Sequence, residues 1–233
     1  MPKSYRFRPG GFVTDEMDDA ISSPERLAAI ARADLLDAPA EDAFDRLARL
    51  AVRVLDVPIA MVSIPVPGRQ FFACAVGLPE PWATLRETPL SFSVCKHVVA
   101  GAAALVVEDA RHHPLLRENR AVTELGVVAY AGVPLRTPAG QVLGTFCAID
   151  TKPHAWTEWE LAVLEDLAAV TMARIEARVE AAGRTRAERA LHEAEDRFKG
   201  LVEQSLAGIY ILQDGRVTYA NRKFAEIFGY AVE

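Results

Sequence analysis

No stretch of the chain approaches the roughly 18–20 consecutive apolar residues that span a bilayer. The opening "MPKSYRFRPGGFVTDEMDD" also lacks the apolar centre of a signal peptide. Cysteine is scarce: Cys74, Cys95 and Cys147 are odd in number and form no CxxC pair, which excludes a disulfide framework or a zinc site of usual spacing. Surplus positive charge is missing too. A net charge of −6 argues against wholesale binding of nucleic acid or anionic membrane. A glycine-rich phosphate loop is absent, since "RPGGF" precedes no strand–helix unit. These absences leave a cytoplasmic globular chain whose cysteines are buried thiols, with 51% hydrophobic residues for a core.

What is present is a sequence of short periodic segments. Residues 1–21 mix charge, Pro9 and two glycines without periodicity and are expected to form a loose arm. At "SSPER", Ser22 and Glu25 have capping-box spacing, and Pro24 suits a first helical turn. Leu27, Ile30, Ala31 and Leu35, then Phe44, Leu47, Ala51 and Val54, recur at helical spacing. The runs 58–66 and 70–76 flank Pro67-Gly68 as a hairpin. A proline-rich loop follows ("GLPEPWATLRETPLSF"), then a short helix at "SVCKHVVAG", a strand at "ALVVEDA" and helical turns at "HPLLRENRAVTEL". A second hairpin occupies 127–150, with Tyr130, Val133 and Leu135 expected on one side of its first strand. Thr157 and Glu160 form a capping box that opens a long helix. Its Leu161, Leu164, Ala168, Thr171 and Ile175 have the spacing of a parallel helix pair. Beyond Phe198 come two strands around Asp214-Gly215 and the start of a helix, too little to bury a core by themselves, so the chain is expected to stop inside a domain.

The predicted fold class is α+β, an antiparallel sheet with helices packed on it. In "SFSVCKHVVAG", "LVVEDA", "YAGVPLRTPAGQVLGTFCAID" and "WTEWELAVLEDLA", in that order, the chain resembles a GAF domain over about residues 24–180. From Phe198, "RFKGLVEQSLAGIYILQDGRVTYANRKFAEIFGY" resembles the opening of a PAS domain. The implied organisation is an arm at 1–21, a GAF domain at 22–180, a coiled-coil-like linker helix at 181–197 and the first part of a PAS domain at 198–233. GAF, helix and PAS in series resemble bacterial sensor proteins that end in a histidine kinase, a diguanylate cyclase or a serine phosphatase. The resemblance implies a sensory and dimerising role, with a parallel homodimer through the 157–197 helix and no catalysis within the chain.

Candidate site residues follow from the same resemblance. A small organic ligand would lie between the sheet and the 79–125 connection, touching Phe92, Cys95, Asp109 or Tyr130, with Trp82 and Phe92 as a lid. Cys95 and His97 are spaced by Lys96, unlike the adjacent pair of bilin-binding relatives. For haem, His97, His112, His113 and His154 are available, but no carboxylate joins them at metal-ligand spacing. Asn119-Arg120 is as near as the chain comes to the cyclic-nucleotide pattern. Free methionine sulfoxide reductases of this family carry cysteines in a glycine-flanked motif and a later loop that do not occur here. The expectation is therefore no resident cofactor and no metal. Asp109 and Asp150 both end strands, where an aspartate commonly caps the following turn.

Overall fold

A computed structural model describes residues 14–38 and 42–229. It divides into two compact units at Val179/Glu180. The first opens with helices α1 (Thr14–Ser22), α2 (Pro24–Arg32) and α3 (Asp42–Val54). Strands β1 (Ile59–Val66) and β2 (Arg69–Val76) form the first hairpin. The short helix α4 (Trp82–Leu85) and strand β3 (Glu87–Pro89) come next, then α5 (Cys95–Gly101), β4 (Leu105–Val107) and α6 (Arg120–Leu125). Strands β5 (Ala129–Arg136) and β6 (Val142–Asp150) form the second hairpin, and α7 runs from Glu158 to Glu203.

The six strands make one antiparallel sheet in the order β3-β2-β1-β6-β5-β4. Its central strands β1 and β6 are buried along their whole length, because both faces are covered. Alternation divides their side chains between two cores. Ala60, Val62, Ile64, Phe146 and Ala148 join α2, α3 and α7 on one face. Ile59, Met61, Cys147 and Ile149 face α5, α6 and the 78–127 connection on the other.

Arg26 joins the ends of this sheet. The register between β1 and β6 stops at Ser63–Thr145. Beyond it the buried Arg26 guanidinium donates to the carbonyl oxygens of Pro65 (2.6 Å), Val142 (2.7 Å), Leu143 (2.8 Å) and Ile21 (2.9 Å). Gly144 allows the two strands to approach, since a Cβ there would lie 2.3 Å from the Ser63 carbonyl oxygen.

Several expectations are corrected. The arm predicted over 1–21 is helical from Thr14, and Ile21 is buried with Val99 and Val142; residues 1–13 lie outside the described residues. The cap of α2 is Ser23 and not Ser22, with its Oγ accepting from the Arg26 amide. The proline-rich loop contains α4 and an edge strand, because residues 87–89 find free ladder positions along β2. Tyr130 points to the opposite sheet face from Val133 and Leu135, as its odd separation from them in a period-2 strand requires. In α7, Leu161, Leu164, Ala168, Thr171 and Ile175 are buried in their own domain's core, so they are not free to face another helix.

The capping box at the start of α7 is formed: Thr157 Oγ1 accepts from the Glu160 amide, and Glu160 accepts from the Thr157 amide and hydroxyl. His154 ties this turn to β6, with Nδ1 3.2 Å from Asp150 and Nε2 2.9 Å from Glu160. Burial disfavours its cation, but the two carboxylates outweigh that and raise its pKa above the ordinary histidine value.

The second unit contains the end of α7, a hairpin of β7 (Tyr210–Gln213) and β8 (Arg216–Ala220), and α8 (Arg222–Phe228). Asp214 and Gly215 form its turn with positive φ. The buried Asn221 organises this unit. Its Oδ1 accepts from the Ile209 and Phe224 amides, and its Nδ2 donates to the Val202 and Ala207 carbonyls. Tyr210, Ile211, Leu212 and Val217 remain at least half exposed, as two strands cannot enclose a core.

Candidate ligand cavity

Between the sheet and the 78–127 connection lies a mostly apolar cavity of about 50 Å³. The sheet contributes Ile59, Met61, Phe72, Tyr130 and Ile149, and the connection contributes Trp82, Phe92, Val94, Cys95 and Val127. Two polar lining residues, Gln70 and Thr88, are already engaged. Gln70 Nε2 donates to Thr88 Oγ1, and Gln70 Oε1 accepts from the Ser93 hydroxyl. The lining therefore offers few unspent hydrogen bonds and favours an apolar occupant. A volume of this size has room for only a few water-sized positions. It falls well below the several hundred Å³ typical of sites for drug-sized molecules.

Two of the lining aromatics pack together. Trp82 and Phe92 have ring centroids 5.7 Å apart, and the Arg120 guanidinium carbon lies 4.2 Å from the Phe92 centroid. Such cation–π contacts fix a ring that would otherwise swing.

At the floor, Tyr130 Oη donates to Cys95 Sγ at 3.3 Å, and Cys95 Sγ lies 3.6 Å from Cys147 Sγ. This arrangement needs a glycine two residues along β5. A Cβ at Gly132 would fall 2.2 Å from the Tyr130 hydroxyl, so the phenol lies across the space that only glycine leaves open. Ser63 and Thr145, paired across β1 and β6, carry buried hydroxyls on the same sheet face with no hydrogen-bond partner of ordinary geometry. Burial opposes ionisation at Cys95, but the hydrogen bonds from Cys147 and Tyr130 outweigh it and hold its thiol below the ordinary value. Burial pushes both Cys147 and Tyr130 well above theirs. Cys74 is in the core on the other sheet face, and burial raises it to about 12.

Of the four expected site residues, Phe92, Cys95 and Tyr130 meet in this cavity. Asp109 does not. It accepts from the Arg111 amide and guanidinium at 2.7–3.1 Å, closing the turn after β4 as a strand-end aspartate does. Asp150 likewise accepts from the Thr151 and Lys152 amides. His97 is half-buried, with its Nδ1 atom buried and unpartnered, and burial, then Lys96 and His113, depress its pKa to about 4. Among the described residues no group of three His, Cys, Asp or Glu side chains could hold a metal ion. No helix among them is long and apolar enough to cross a membrane. The meeting of Cys147 with Cys95 carries no mark in the sequence, because a cysteine in an apolar strand shows no sign of which helix, 52 positions away, it will face.

Comparison with known proteins bears on this geometry. The GAF domain family model matches residues 39–175, and a PAS domain model matches 196–233. A cyclic di-GMP phosphodiesterase of Pseudomonas aeruginosa is 35% identical over 152 residues, which is 64% of this chain and 25% of that protein. The chain thus spans a quarter of that relative's length. Among solved structures, the GAF domain of a Coxiella burnetii phosphoenolpyruvate-protein phosphotransferase superposes with a TM-score of 0.51 at 20% identity, covering 68% of this chain and 96% of that one. The PixJ GAF domain of Thermosynechococcus elongatus in its blue-light absorbing form gives 0.51 at 18% identity, covering 72% and 97%. At these identities the likeness shows the shared fold.

Proposed function

The chain belongs to the GAF domain family, and from that premise we propose that it is the sensory input and dimerisation module of a cytoplasmic bacterial signalling protein. The observation that carries this reading is the double character of α7. One face, from Leu161 to Ile175, is built into the GAF core. A different face carries Val170, Ala177, Leu191 and Phe198 at intervals of seven or fourteen, with Ala173, Ala187, Ala194 and Leu201 three residues after positions of that series. Its large members are 53% (Val170), 62% (Leu191), 70% (Phe198) and 72% (Leu201) exposed. Apolar residues repeating at a and d are the seam of a two-stranded coiled coil, and the occupant we assign is a second copy of α7 in parallel register. Arg184 and Glu180 interrupt the series, which makes the seam weak where a switch needs two arrangements close in energy.

In this reading the cavity takes a small, largely apolar molecule beneath Trp82 and Phe92, and α7 carries its effect from the GAF core toward the PAS-like segment. A ligand acts only through its differential affinity for two arrangements of such an element. Turnover belongs to an output domain. The Pseudomonas relative adds cyclic di-GMP hydrolysis to the kinase, cyclase and phosphatase outputs that such a module would serve.

Light scattering on the chain tests the seam. The wild type should be a dimer at micromolar concentration. Leu191→Glu with Phe198→Glu should weaken association at least ~100-fold, about 3 kcal/mol, from lost apolar burial and like-charge contact. The melting of the GAF unit should be unchanged. A monomeric wild type, or a dimer indifferent to the double substitution, refutes the reading.

A further inference from the structure

Two of the three cysteines meet although they are 52 positions apart, Cys95 at the start of α5 and Cys147 in the middle of β6. Their sulfurs are 3.6 Å apart, and both residues are almost fully buried. They are not equivalent. Cys95 lines the cavity, whereas Cys147 is not part of its lining. Cys95 also receives the Tyr130 hydroxyl, and Ser63 presents a further buried hydroxyl with no ordinary partner. One thiol therefore lines the cavity with donors around it, and the other lies next to it outside the lining. A disulfide needs the sulfurs at about 2.05 Å, so closure requires an approach of about 1.5 Å.

We propose that Cys95 and Cys147 form a reversible, peroxide-driven disulfide beside the cavity, with Cys95 the residue that attacks the peroxide and Cys147 the resolving one. The oxidant is a small hydroperoxide, R–O–OH, for which a cavity of about 50 Å³ is large enough. The Cys95 thiolate attacks the terminal peroxide oxygen. The O–O bond breaks, the alcohol R–OH leaves with the proton given up by Cys95, and Cys95 becomes a sulfenic acid. Cys147 then attacks the Cys95 sulfur. The S–O bond breaks, and the departing hydroxide takes the Cys147 proton to leave as water. Two thiols and one peroxide become one disulfide, one alcohol and one water. A thiol reductant reverses the change. The bond clamps α5 to β6 and turns the acceptor of the Tyr130 hydroxyl from a thiol sulfur into a disulfide sulfur, so oxidation alters this part of the cavity whether or not an organic ligand binds there.

Tryptic mapping of the native chain decides the matter, because the three cysteines fall in separate peptides: 70–86 with Cys74, 87–96 with Cys95, and 137–174 with Cys147. After hydrogen peroxide treatment and alkylation, peptides 87–96 and 137–174 should be cross-linked, dithiothreitol should release them, and 70–86 should remain fully alkylated. In Cys147→Ser the same treatment should leave a sulfenic acid on Cys95 that a 1,3-dione traps stoichiometrically. Three results on the wild type, which needs no variant to fold, overturn the inference. These are pairing of either peptide with 70–86, oxidation of Cys95 to sulfinic acid with Cys147 still free, or retention of all three free thiols until the protein is unfolded. Trapping on Cys147 or Cys74 in the variant overturns it as well. None of these outcomes depends on the oligomeric state, so this inference and the dimer reading fail separately.

Discussion

Arg26→Met is the most direct test of how the GAF sheet is held. Arg26 is 2% exposed, and burial pushes its pKa down to about 10, with no carboxylate among the described residues paired to it. That fall from 12.5 corresponds to about 3 kcal/mol of unfavourable burial, which the methionine variant recovers. Against it stand four hydrogen bonds at 2.6–2.9 Å to main-chain carbonyls. Bonds from a charged donor contribute about 1.5–3 kcal/mol each, so the four together contribute roughly 6–12 kcal/mol. The net loss should be about 3–9 kcal/mol, large against the 5–15 kcal/mol that holds a typical domain. Methionine keeps the unbranched stem out to about the Nε position and so limits the cavity, and the loss reports mainly on the carbonyls. Urea unfolding followed by the near-ultraviolet signal of the GAF unit's tryptophans measures it. Amides around residues 65 and 142–144 should also exchange faster in the variant. A loss below about 1 kcal/mol would show that these carbonyls find other donors and would refute the reasoning.

Two further predictions concern coupling and pH. In a full-length signalling protein, one residue inserted after Ala181 turns everything downstream in α7 by about 100 degrees and should disrupt output, while seven inserted residues nearly restore the phase and should largely spare it. Equal output from both would make α7 a passive tether. His97, with its pKa depressed to about 4, is neutral in the folded protein at pH values where the unfolded chain already binds a proton. Stability should therefore fall as pH drops from about 6.5 to about 4, by up to about 3 kcal/mol from this group. His97→Gln should flatten that part of the pH–stability curve relative to wild type, and parallel curves from the two proteins would contradict the assignment.

Much of this molecule is determined by local pattern. Both hairpins, the capping box at Thr157, the Asp214-Gly215 turn and the α3 face at Phe44 and Ala51 follow from periods of 2 and 3.6 and from residues whose backbone preferences are strong. The order of these segments is what makes the fold legible, and with it the position of Phe92, Cys95 and Tyr130 near one cavity. Tertiary structure alone decided which partner each face would meet. Spacing marks the stripe from Leu161 to Ile175 as apolar but does not say whether a second helix or the domain's own sheet covers it, and the sheet does. A strand-end aspartate looks the same whether it faces a cavity or an arginine two residues on, and Asp109 takes the arginine. Arg26 reads as an exposed helix charge until β1 and β6 diverge and leave carbonyls within its reach. The meeting of Cys95 with Cys147 is of the same kind. Local sequence sets dihedral preference and periodicity over a few residues, whereas contacts across 50 or 100 positions exist only once the sheet's register and its two covering layers are in place.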